Sequence, residues 1–292
     1  MTEGIGLVGA GLVGTALARR FLAAGYGLTA YDTDATRCRA VHDMGGRIAA
    51  SPAAVAAEAQ RIVLALPDSS VVGAVVEGRD GILESATLPR YIIDTTTGDP
   101  EYTAALAARL AARRIGFVDA TLSGSSTQVA DGGAVVMAGG SEADFQACQD
   151  LLREISDKVF YLGAPGSGSR AKLASNLVLG LNRLVLAEGL VFAERLGLAL
   201  EPFLALLKAS PAYSAAMDAK GEKMLTGDFT PQSRVRQHHK DVGLILDYAA
   251  RTGQDLPLSA VHLELMQSAI DAGDGELDNA AVIREIRRRR RG

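Results

Sequence analysis

The sequence predicts an α/β N-terminal domain built on a mostly parallel, doubly wound sheet, followed by an all-α C-terminal domain with a long central helix. Three observations predict it. From Ile5 to about Tyr161 short apolar runs alternate with helical stretches, the pattern of strands joined by crossover helices. After Gly168 the strand signals stop, and apolar residues recur at helical spacing to the end of the chain. The 292 residues suit two domains at about 150 each.

The expected strands are Ile5–Val8, Gly27–Tyr31, Arg47–Ala49, Ile62–Leu66, Tyr91–Ile93, Gly116–Val118, Ala134–Ala138 and Lys158–Tyr161. Between them, Ser51 before Pro52 and Ser141 before two early acids read as helix starts. The glycine-rich "LGAPGSGS" at 162–169 is the expected junction, giving a first domain over 1–163 and a second over 164–292. Arg170–Leu196 is apolar on nearly every side, with Leu173, Leu177, Leu181, Val185, Val191 and Leu196 contributing, as in a helix buried among several neighbours. Further helices are expected at about 201–209, 213–225, 234–252, 257–272 and 278–290.

Composition excludes several classes. Hydrophobic residues make up 48% and charged residues 22%, as in an ordinary globular protein. A formal net charge of −4 argues against a nucleic-acid surface, and the only dense basic run, Arg287–Arg291, reads as cations at a helix C-terminus. Cys38 and Cys148 form no CxxC pair, and the histidines His42, His238, His239 and His262 show no ligand spacing, so neither a disulfide framework nor a metal site is expected. The start "MTEGIGLVGAG" has no basic leader, and no apolar stretch reaches about 18 uncharged residues, so a cytoplasmic protein that does not span a membrane is expected.

The first strand runs into Gly9-Ala10-Gly11-Leu12-Val13-Gly14 and an amphipathic helix ending at Gly25. At this place Gly9 permits the tight turn, Gly11 admits a pyrophosphate to the backbone of Leu12 and Val13, and Gly14 lets helix pack on strand: a Rossmann nucleotide site. The second strand ends at Asp32, where an acid accepts hydrogen bonds from adenosine ribose hydroxyls and repels a 2′-phosphate. NAD is therefore the expected cofactor, with Arg37 a nearby cation that could compensate and admit NADP. Leu66-Pro67 and Thr95-Thr96-Thr97 close two further strands at the same sheet edge, where Thr96 and Thr97 offer hydroxyls and amides to the cofactor.

Hydride chemistry needs a partner that moves a proton. Lys172, with Asn176 four residues later on the same helical face, opens the long apolar helix directly after the glycine-rich junction, which places the pair in a cleft rather than on a solvated surface.

Here the chain resembles the β-hydroxyacid dehydrogenases, which include 3-hydroxyisobutyrate dehydrogenase and tartronate semialdehyde reductase and are relatives of 6-phosphogluconate dehydrogenase. The resemblance covers almost the whole chain in six ordered motifs: the glycine turn, "ALPDSS", "DTTTGDP", "DATLSGSS" at 119–126, "GSGSRAKLASN" and "HKDVGL" at 239–244. It implies Lys172 as acid/base, Asn176 as substrate-orienting, Ser123 and Gly124 as carboxylate-binding, and Lys240 reaching the cofactor and active site from the helical domain. It further implies a small hydroxy acid or semialdehyde as substrate and a homodimer or homotetramer joined through the helical domain. An ordinary lysine pKa near 10.4 suits an acid but starves a base, so burial is expected to lower that of Lys172 and oxidation is expected to be favoured at alkaline pH.

Three positions depart from the family pattern. Thr121 replaces its proline, Ser125 a glycine and Ser175 an asparagine. All three are expected to line the substrate site and make the substrate more polar than hydroxyisobutyrate. Two rival readings share the fold: an imine reductase, against which Lys172 speaks, and a non-catalytic nucleotide-sensing or scaffold protein, which would bind NAD without lysine-dependent turnover.

Overall fold

The computed structural model describes residues 4–289. The strands are β1 (Gly4–Val8), β2 (Gly27–Tyr31), β3 (Arg47–Ile48), β4 (Arg61–Leu64), β5 (Tyr91–Asp94), β6 (Gly116–Ser123), β7 (Val135–Gly140) and β8 (Val159–Tyr161). They form one sheet in the order β3-β2-β1-β4-β5-β6-β7-β8. All neighbours are parallel except β6 and β7, which pair antiparallel from Val118 opposite Gly140 to Ser123 opposite Val135. The order turns back between β1 and β4, the switch point outside which ligands of such sheets bind.

Seven helices cover this sheet: α1 (Leu12–Ala23), α2 (Ala35–Asp43), α3 (Pro52–Glu58), α4 (Ser69–Glu77), α5 (Pro100–Ala111), α6 (Ser126–Ala130) and α7 (Glu142–Ile155). Strand residues alternate between two apolar layers. Ile5, Leu7, Val63, Ile93 and Val118 pack with Leu17 and Phe21 of α1 and Leu151 and Leu152 of α7. Ile62, Leu64, Ile92 and Phe117 pack with Val55 of α3, Val72 and Val76 of α4, and Leu106 and Leu110 of α5. Side chains cap α2 to α7 at their starts, by Asp34, Ser51, Asp68, Asp99, Ser125 and Ser141. Among these helices α1 alone begins on a residue without a side-chain cap, Gly11.

The chain then enters α8 (Ser167–Arg195), a single helix of 29 residues, followed by α9 (Leu200–Ala209), α10 (Ala215–Thr226), α11 (Val235–Arg251), α12 (Pro257–Ala269) and α13 (Val282–Arg288). Two packing units result, Met1–Lys172 and Leu173–Gly292. The division falls inside α8, whose Gly168 stands against the carbonyls of Met137 on β7 and Asp119 on β6. In the second unit Leu186, Ala187 and Leu190 of α8 meet Leu204, Met217, Met224, Leu265 and Ile283 in one core, and Val235, Val242, Met266 and Ala269 form another. Regular geometry of α12 stops at Ala269, and wider turns run to Asp274 through Gly273 at φ +88°.

Burial along α8 corrects one expectation. Leu173 and Val191 are buried, but Val185 and Leu196 are 65% and 60% exposed. By length and composition α8 could cross a membrane, yet half of its apolar stretch is buried, as in a core helix. Arg287, Arg288 and Arg289 pair with Glu194, with Asp274 and Glu285, and with Glu264 and Glu285, so this part of the basic run is a laced helix end. Arg290 and Arg291 lie outside the described residues.

Candidate active site

The glycine turn between β1 and α1 has the geometry of an anion cradle. Gly9 sits at φ +96°, where a Cβ would strike the Ala65 carbonyl, and a Cβ on Gly14 would strike the carbonyl of Gly9. A Cβ on Gly11 would meet nothing within 4 Å. Two glycines are therefore required by the protein's own packing, while the third faces open space. The amides that open α1 have no side-chain cap, and Leu12 is 50% exposed beside them. Uncapped amides, the helix dipole and open space at Gly11 fit the pyrophosphate of a dinucleotide.

Asp32 follows β2. Its carboxylate accepts from Ala10 N at 2.7 Å and Asp34 N at 2.8 Å, with Arg37 3.7 Å away. The acid is thus fixed against the glycine turn, where its charge suits a ribose diol better than a phosphate.

Leu66 is half-buried and Pro67 exposed in the loop after β4. Thr96 does not offer its hydroxyl outward as expected: it is buried, and Oγ1 accepts from Leu66 N at 3.1 Å. Its role is to tie the β4 loop to the β5 loop. Thr97, half-buried, follows in the same loop.

The motif at 119–126 lies largely on β6 rather than in a loop, since the strand continues to Ser123. Thr121 is a correction: it is fully buried, and its hydroxyl donates to the Gly168 carbonyl at 3.0 Å, so it braces the start of α8 and does not face a substrate. Ser125 closes a capping box on α6, accepting from Gln128 N at 3.2 Å while Gln128 Oε1 accepts from Ser125 N at 2.8 Å. Its hydroxyl proton stays available to a ligand. Ser123 is half-buried and Gly124 exposed at φ +151°, at the strand end where backbone amides can meet a carboxylate.

On α8, Lys172 and Asn176 are 8% and 5% exposed, so the face they share is a buried one. Ser175 beside them is half-buried. In the second unit Lys240 of α11 keeps its Nζ 3.3 Å from the Asp241 carboxylate.

Two carboxylates stand in the strands without having been assigned a role from sequence. Asp94 ends β5 and Asp119 is its register partner on β6; both are buried. Burial pushes the Asp94 carboxyl up to about 7 against the lowering effect of Thr96, and Asp119 adds to the rise. Asp119 is also raised by burial, opposed by hydrogen bonds from Gly166 and Ser169. The signal for both was available: an acid inside an apolar strand, "YIID" and "GFVDA", must be held by specific partners.

Residues 4–163 match the family described as the NAD binding domain of 6-phosphogluconate dehydrogenase, and residues 166–286 match the NAD-binding family of NADP-dependent 3-hydroxyisobutyrate dehydrogenase. The chain belongs to the β-hydroxyacid dehydrogenase family. Within it, the chain is 32% identical to 2-(hydroxymethyl)glutarate dehydrogenase of Eubacterium barkeri over 281 residues, covering 96% of this chain and 93% of that one. L-threonate dehydrogenase of Cupriavidus necator is 30% identical over 285 residues, covering 97% and 96%. The crystal structure of 3-hydroxyisobutyrate dehydrogenase from Salmonella typhimurium superposes with a TM-score of 0.88 at 29% identity, covering 97% of this chain and 99% of that one. This β-hydroxyacid dehydrogenase is thus an NAD(P)-dependent oxidoreductase of small hydroxy acids or semialdehydes.

Proposed function

We propose that Lys172 is the general acid/base of this enzyme and Asn176 the group that orients the substrate. The observation that carries this reading is a buried lysine one turn into α8, with a buried carboxamide four residues later on the same face, in a chain of this family. When bound, the nicotinamide accepts or returns the hydride. The glycine turn and the α1 amides hold the pyrophosphate, and Asp32 takes the ribose hydroxyls, which favours NAD over NADP. Ser123, Gly124 and Ser125 receive the substrate carboxylate. Lys172 takes the hydroxyl proton during oxidation and returns one to the oxygen during reduction, so oxidation rises with pH.

The substrate we propose is a 3-hydroxy acid or semialdehyde more polar than hydroxyisobutyrate, carrying a further hydroxyl or carboxylate. Ser175 beside Asn176 and the free hydroxyl proton of Ser125 support this, as do the names of the relatives acting on 2-(hydroxymethyl)glutarate and L-threonate. Cys38 and Cys148 are free thiols, in keeping with the reducing cytoplasm we propose.

The test is turnover with NAD and NADP across a panel of 3-hydroxy acids and semialdehydes, wild type beside Lys172→Ala. The expected result is a loss of about 10²- to 10⁴-fold in kcat with cofactor affinity retained, and an oxidation rate in the wild type that climbs with alkaline pH. A variant that keeps its rate, or a profile flat from about pH 7 to 10, ends the assignment of Lys172.

A further inference from the structure

We propose that Asp119 is a positioning residue: its carboxylate holds the first turn of α8 and thereby sets where Lys172 stands. The proposal rests on the reading of Lys172 as proton carrier. Asp119 lies within β6, 1% exposed. Its Oδ1 accepts from Gly166 N at 2.9 Å and its Oδ2 from Ser169 N at 2.8 Å, so one side chain satisfies two of the amides that the start of α8 leaves without carbonyl partners. Thr121, two residues further on the same face of β6, donates its hydroxyl to the Gly168 carbonyl at 3.0 Å. Alternate residues of one strand therefore grip both the donor and the acceptor side of a single turn.

The turn has no slack. A Cβ on Gly168 would collide with the Met137 carbonyl and stand 2.7 Å from that of Asp119, and a Cβ on Gly139 would stand 2.6 Å from Asp119 Oδ1 and 2.9 Å from Gly168 N. The backbone of α8 thus rests directly on the backbones of β6 and β7. Lys172 follows Ser169 by three residues, one turn along the same side of the helix, so displacement of Ser169 N displaces the lysine with it.

A carboxylate suits this place because both of its oxygens accept, whereas a carboxamide would turn an NH₂ group toward one of the two amides. Burying the charge is unfavourable on its own and raises the carboxyl's affinity for a proton. The positive end of α8 supplies the compensating field.

The experiment is a double-mutant cycle on kcat with Asp119→Asn and Lys172→Ala, the cofactor dissociation constant and the melting curve being followed for each protein. In the wild-type background Asp119→Asn is expected to lower kcat about ten- to hundredfold at unchanged cofactor affinity, the cost of a misplaced reacting group. In the Lys172→Ala background the same change is expected to alter the residual rate less than about twofold, because there is no longer a lysine to misplace. Equal losses in both backgrounds would overturn the proposal, as would a full rate in Asp119→Asn. A Lys172→Ala enzyme as fast as the wild type would instead remove the reading of Lys172 on which the cycle depends. Should Asp119→Asn not fold, Thr121→Val loosens the same turn from its other side and the same non-additivity decides the matter.

Discussion

Asp94 is a residue whose environment works against its charge. It is buried at the end of β5 with Asp119 as register partner, and burial holds its carboxyl up to about 7. In the unfolded chain the same group titrates near 3.9. The folded protein therefore keeps a proton that the unfolded chain releases, and stability falls as pH rises from about 4 to about 7, by roughly 4 kcal/mol in all. Asp94→Asn can still accept from Thr96 N, a bond of 2.9 Å in the wild type, and carries no charge to bury. Its melting temperature at pH 8 is expected to exceed that of the wild type, with little difference near pH 4; identical curves at both pH values would contradict the assignment. His262 acts in the opposite sense. Burial, with Arg183 nearby, holds it down to about 4, so its contribution is lost as pH falls from about 6.5 toward 4.

At the scale of elements, the turn between β1 and α1 separates what the fold requires from what the ligand requires. Gly14→Ala forces a methyl into the Gly9 carbonyl and is expected to cost about 1–3 kcal/mol of stability along with cofactor binding. Gly11 lies at φ −66° and ψ −163°, accessible to any residue, with open space over it. Gly11→Ala is expected to melt within about 0.5 kcal/mol of the wild type yet weaken cofactor binding about tenfold or more, because the methyl would enter the open space where we propose the pyrophosphate to lie. Calorimetry and cofactor titration on the two variants separate these effects; equal damage to stability would refute the distinction. This turn was legible in sequence because glycine spacing encodes local backbone geometry. The strands were legible too, since apolar runs bounded by turns carry their own period. The length of β6 was not: "DATLSGSS" reads as a loop, and only pairing with β7 extends the strand to Ser123. Thr121 and Thr96 were misread for a related reason. Whether a hydroxyl faces a ligand or a backbone carbonyl depends on what tertiary packing brings beside it, as Gly168 is brought beside Thr121 across 47 residues of chain.

For the whole molecule, the faces of α8 pose the remaining question. Val178, Val185 and Phe192 recur every seven residues and are 55%, 65% and 64% exposed, a stripe more apolar than a solvated helix carries. We propose that a second copy of the chain covers it, giving a homodimer or homotetramer. Phe192→Glu combined with Val185→Glu is expected to yield a monomer by light scattering where the wild type is oligomeric; a monomeric wild type would refute the proposal. The sequence showed α8 as apolar all round but could not divide its faces, because a side chain that packs on its own subunit and one that awaits another look alike in composition.

The unbroken path of α8 through residues 167–195 has a metric consequence. Lys172 and Asn176 both lie on this one helix, so helix pitch alone sets their separation at about 6 Å along the axis. The helix is a ruler on which the lysine and the carboxamide are engraved in phase. One residue inserted between them would swing Asn176 about 100° around the axis and spoil that phase while leaving every loop of the nucleotide cradle untouched.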